Sequence, residues 1–88
     1  MIRQVIVTQI IEVEVDETKF TEAWMEEWRQ SYYSFNTVER HIEHIAQLEA
    51  RSLLNEDFTE GYGPLSEMGI QAKVLEQEQE IISIKSMI

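Results

Sequence analysis

The sequence predicts a small α+β domain, with an antiparallel sheet of two or three strands packed against a helical hairpin in the order β-α-α-β(-β). Three observations lead there. An apolar segment with period-two alternation opens the chain, and two amphipathic segments of helical periodicity follow it. Apolar alternation then returns after a loop bearing three glycines and the only proline. At 88 residues the chain has room for one core, so residues 1–88 are read as a single domain. A domain of this size buries roughly 60–65% of its unfolded surface, so each large side chain carries weight.

The first element spans Gln4 to Val15. Val5, Val7, Ile11, Val13 and Val15 share one face, and Ile6, Thr8, Ile10, Glu12 and Glu14 share the other. The second half alternates as a half-buried strand should. The first half is apolar on both faces, which predicts a central strand or an edge covered by another element. The opening "MIRQVIVTQIIEVEV" has the Arg and apolar run of a signal peptide. However, Gln4, Thr8 and Gln9 interrupt it, and Glu12 and Glu14 occupy the place of a cleavage site. It reads as a strand of a cytoplasmic protein.

"DETKF" then turns into "FTEAWMEEWRQSYYSF", which holds six of the eight aromatic residues. Projected as a helix, Phe20, Trp24, Met25, Trp28, Tyr32 and Phe35 fall within an arc of about 140°. Each ring buries about 150–250 Å² when packed, so this stripe is expected to build the core. Glu22, Glu26 and Arg29 lie opposite, and Tyr33 projects among the two glutamates as an outward-facing exception. In the next segment, Asn36 with Glu39 resembles a capping-box start, and Asn55 marks a stop. Val38, Ile42, Ile45, Ala46, Leu48 and Leu53 form its expected buried stripe. The short "SFN" joint implies that the two helices form a hairpin.

In "NEDFTEGYGPLSEMG", Gly61 and Gly63 are expected to supply positive φ around Tyr62, which is read equally as a plug over the sheet edge or an exposed contact. Ile70, Ala72 and Val74 alternate again, and "EIISIKSMI" is a last apolar segment. "EQEQE" between them is a turn or the polar stretch of one long strand.

Seventeen acidic against seven basic residues give a formal charge of −10. Such a field repels nucleic acid and anionic membrane, and favours basic partners and cations. No cysteine is present, which excludes disulfides, thiolate metal sites and a cysteine nucleophile. "HIEH" sets His41 and His44 at i and i+3, a weak metal-site pattern that differs from H-E-x-x-H and lacks a third ligand at a diagnostic spacing. Arg40, His44, Gln47 and Arg51 share one helix face. Arg40 and Arg51 there form the one local basic strip, a candidate anion site or half of surface ion pairs. The glycine loop matches neither G-x-G-x-x-G nor a P-loop, and no serine sits in a nucleophile elbow. No enzyme activity and no cofactor are expected.

The combination "FTEAWMEEWRQSYYSFNTVERHIEHIAQLEARSLL" followed by "FTEGYGPLSEMGIQAKV" resembles small uncharacterised acidic proteins encoded by phages and prophages, over roughly residues 10–75. The resemblance implies a class of task, the binding of host or phage proteins, in some cases by presenting DNA-like charge. It brings no catalytic residues. The functional expectation is a non-enzymatic binding module that docks on a basic protein surface through Glu22, Glu26, Tyr33, Glu60 and Tyr62, with no direct nucleic-acid or membrane contact. The alternative is a structural or assembly protein that forms a homodimer or larger homo-oligomer through its apolar strands.

Overall fold

The computed structural model describes residues 1–84, with side chains to residue 82. It contains two long antiparallel strands in one sheet and two helices, an α+β arrangement in the order β-α-α-β. Strand β1 runs Arg3–Glu14 and pairs with β2, Gln71–Ile84. Helices α1 (Glu22–Ser31) and α2 (Val38–Ala50) lie between them in sequence. Two short 3-10 turns, Glu17–Lys19 and Leu65–Met68, lead out of β1 and into β2.

Each helix starts where a threonine satisfies an orphan donor. Thr21 Oγ1 accepts from the Trp24 amide at 3.1 Å, and Thr37 Oγ1 accepts from the Arg40 amide at 3.3 Å. Thr37, in extended backbone, therefore replaces Asn36 as the cap of α2, and the position three residues on is Arg40 rather than a glutamate. Helix α1 ends at Ser31, before the aromatic stripe does. Tyr32 leaves helical geometry, and the Arg29 guanidinium donates to the Phe35 carbonyl at 3.1 Å across the reversal. Phe35 reaches the core through this reversal, stacking on Trp28 at 5.2 Å. Tyr33 lies outside the helix altogether. Helix α2 ends at Ala50, and Ser52 takes a positive φ of 57°. That reversal leaves Leu53 exposed, against the expected stripe, and lets Leu54 pack on the core instead.

The core sits at one end of the strand pair. Phe20, Trp28, Phe35, Ile45, Tyr62, Leu65, Met68 and Ile70 form it, with Val13 and Ala72 from the sheet and Val15 just past β1 packed against it. The helices meet through rings: Trp24 and Trp28 lie 5.3 and 4.6 Å from His41, centroid to centroid. The loop closes the base. Gly61 has a φ of 92°, and a Cβ there would lie 2.8 Å from Trp28 Nε1, which donates to the Gly61 carbonyl at 2.9 Å.

"EQEQE" is the middle of one continuous strand, so no third strand forms within the described residues; residues 85–88 of the last apolar segment lie outside them. The pairing has two irregularities, at Gln4/Val5 and Ile10/Ile11, where Ile82 and Leu75 are the unpaired extra residues of β2. The strand read as central or covered is neither. Beyond Ile11 it continues as one half of a two-stranded ribbon with both edges free among the described residues. The molecule extends 55 × 25 × 20 Å, and its radius of gyration of 16.8 Å exceeds the value of about 12 Å expected for 88 compact residues.

Candidate functional site

The ribbon beyond the base is the feature that the core does not explain. Among the described residues, those from Ile10↔Glu76 to Arg3↔Ile84 form strand pairs only with each other. Residues paired directly across two strands share a face, so the register assigns each side. The face that continues the core side carries Val5, Val7 and Gln9 beside Ile81, Gln79 and Gln77, and the Gln9 amide donates to Gln77 Oε1 at 2.9 Å. The opposite face carries Ile6, Thr8 and Ile10 beside Glu80, Glu78 and Glu76. Val5, Ile6, Val7, Ile10, Leu75, Ile81 and Ile82 are each 48–57% exposed. Fully burying such a side chain is worth about 1.5–3 kcal/mol, and here much of that is unrealised.

The base beneath holds a buried polar pair. The His41 ring is fully buried among Phe20, Trp24, Trp28, Phe35 and Tyr62. Its Nδ1 shares a hydrogen bond of 2.9 Å with the Tyr62 hydroxyl, and its Nε2 has no hydrogen-bond partner. Burial pushes the imidazole down to about 4, helped by the nearby His44 and the Arg29 guanidinium. Burial also raises the Tyr62 phenol above its ordinary value. His44, half-buried, is lowered by burial and then by Arg40 and Arg51. Asp16 is held below the usual carboxylate range by the Thr18 hydroxyl and then the Thr18 amide, as the cap of the first 3-10 turn.

The expected contact residues have separate situations. Glu22 accepts from Arg29 at 2.6 Å, while Glu26 and Glu60 are exposed. Tyr33 is 59% exposed, but it stacks on Phe35 at 5.6 Å and meets His44 edge-on. Its expected place between Glu22 and Glu26 assumed a helix that in fact stops at Ser31. Tyr62 is buried, which corrects its expected role as a surface contact: it is the plug of the two readings, although it plugs the aromatic base rather than a sheet edge. Arg40 pairs with Glu43 at 2.5 Å and lies 4.7 Å from the centre of the Phe35 ring. Arg51 is exposed at the end of α2. His41, enclosed by rings and bound to Tyr62, does not join His44 at an open ion site. Among the described residues no group of three or more His, Asp or Glu is placed to hold a metal.

Sequence reasoning offered the apolar strands as a site only in the alternative, assembly reading, and did not foresee a ribbon clear of the core, because an apolar strand is usually covered. Its signal was the contrast between β1, apolar on both faces, and the alternating Glu and Gln of β2. A cleft of about 640 Å³ lies beside the base, with Glu12, Glu14, Glu49 and Glu56 around a floor of Leu65 and Ile70. Among the described residues no helix is long and apolar enough to cross a membrane. No protein family, curated protein or solved structure matches this chain.

Proposed function

We propose that this chain is a non-enzymatic protein-interaction module whose projecting ribbon is the docking element and whose aromatic base holds that ribbon in place. The observation that carries this reading is the uncovered row of large apolar side chains along Val5–Ile10 and Leu75–Ile82. An isolated two-stranded ribbon is at best marginally stable in water, and three or more strands or a packed face are needed for stability. A ribbon of this length therefore gains most from a partner that completes it. The charge of −10 speeds encounter with basic surfaces and opposes it with acidic ones, so a partner must keep its own carboxylates away from the glutamates.

Site-specific photocrosslinking in cells that produce the protein tests the reading. A photoreactive residue at Val7, on the ribbon, is expected to give a discrete adduct. The same residue at Glu26, on α1, is expected to give none. Absence of any adduct at Val7, whether with this chain or with another protein, refutes it.

A further inference from the structure

We infer that the ribbon's partner is a second copy of this chain, joined through the β1 edges into a four-stranded sheet of order β2–β1–β1′–β2′. This inference rests on the interaction-module reading and names its partner. Its first support is composition. From Val5 to Ile11 β1 is "VIVTQII", without a charge and apolar on both faces, the composition of an inner strand. Strand β2 carries Glu76, Glu78 and Glu80 with Gln77 and Gln79 between them, the composition of a protected outer edge. In the single chain both strands are edges. In the proposed dimer each takes the place that its residues suit.

The second support is area. A compact monomer of 10.4 kDa exposes about 5400 Å², whereas this chain exposes 6594 Å². The excess is roughly 1200 Å². A standard interface needs about 800 Å² from each partner, so the excess is of the size that a stable dimer removes.

The third support is register and charge. Antiparallel pairing about a two-fold axis at Thr8 sets Val5 against Ile11′, Ile6 against Ile10′ and Val7 against Gln9′, with Thr8 facing its own copy. No charged residue of β1 faces another within this stretch. The even sum of each pair also keeps the uncharged ribbon faces of both copies on one side. Antiparallel joining puts the two acidic bases at opposite ends of the sheet. They are separated there by more than the Debye length of about 8 Å at physiological salt. A parallel arrangement would place them side by side, and β2–β2′ joining would align two glutamate rows.

Sedimentation and light scattering of the purified full chain, across protein concentration and salt, test the proposal. The expected mass is about twice 10.4 kDa, and raising salt should leave the dimer unchanged or tighten it, because screening weakens repulsion between two acidic copies. Thr8→Lys and Thr8→Glu, at an exposed position of β1, should each give a monomer with unchanged tryptophan emission. Mixing those two variants should restore the dimer mass, since opposite charges then meet at the axis. Gln79→Lys, on the outer strand, should remain dimeric. A native mass of 10.4 kDa at every concentration overturns the inference, as does a dimer indifferent to Thr8→Lys. A purified monomer together with a Val7 adduct to a different protein overturns the second copy while leaving the interaction-module reading intact. A purified monomer with no Val7 adduct of any kind ends both.

Discussion

Acidification from neutral pH to about 4 should destabilise the base through His41, and the size of the loss follows from its surroundings. The ring is wholly buried, with one nitrogen on the Tyr62 hydroxyl and the other without a partner, so it folds neutral. Its ordinary value of 6.5 falls to about 4 in the folded chain. The folded state therefore resists a proton that the unfolded state accepts. Stability is complete above pH 6.5, falls as pH drops below 6.5, and levels off near 4. At 1.36 kcal/mol per pH unit the loss is about 3 kcal/mol, or on the order of 10–20 °C in Tm for a domain of this size. The surrounding rings favour an imidazolium by about 0.5–2 kcal/mol, which is less than the several kcal/mol lost on removing a cation from water. Carboxylate protonation near pH 4 also relieves the repulsion of a −10 chain, so the native curve alone mixes two effects. His41→Phe separates them, because it keeps an aromatic ring in the box and removes the titrating group. Urea unfolding followed by Trp24 and Trp28 fluorescence, at matched protein concentration, gives both curves. The difference, native minus His41→Phe, should be flat above pH 7 and fall by about 3 kcal/mol between 6.5 and 4. A difference that stays level across that window refutes the reasoning.

Two further perturbations probe the support of the ribbon. Gly61→Ala forces a φ of 92° on a residue with a Cβ and drives that carbon to 2.8 Å from Trp28 Nε1. It should cost about 2–3 kcal/mol in urea unfolding and shift tryptophan emission, and a change below about 0.5 kcal/mol would show that the loop yields. Ile45→Ala empties a fully buried site at the centre of α2, with an expected cost of about 3–4 kcal/mol read from the same transition. A loss under about 1 kcal/mol would mean that the aromatic base collapses onto the vacated space.

Much of the fold was legible because local patterns had local causes. The alternation at Val13 and Val15 marks where the end of β1 and the residue just past it reach the core, and the Trp24–Trp28 spacing marks the buried side of α1. The positive φ at Gly61 and Gly63 followed from the loop's composition. What escaped were features set by chain reversals and by tertiary context. Phe35 is buried as projected, but by a turn after Ser31 rather than by a longer helix. That same turn moved Tyr33 off the face where projection had put it. His41, read from the sequence as half of a weak metal pattern, lies instead at the centre of the aromatic base, because the loop delivers Tyr62 onto it. The ribbon was hidden for a different reason. Hydrophobicity states what should be covered, not whether the chain itself supplies the cover.

The extra residue Leu75 gives β2 a reading frame. Upstream of it, even-numbered positions such as Ala72 and Val74 lie on the core side; downstream, the odd positions Gln77, Gln79 and Ile81 do. Removing that one residue would close the bulge: Val74 would stay opposite Ile11 and Glu76 opposite Ile10, so Glu76, Glu78 and Glu80 would keep their side of the ribbon. The loss of one residue at this point is thus absorbed by the pairing. Two chains that differ only by a gap between Val74 and Glu76 should therefore present the same sides of the ribbon to whatever they bind.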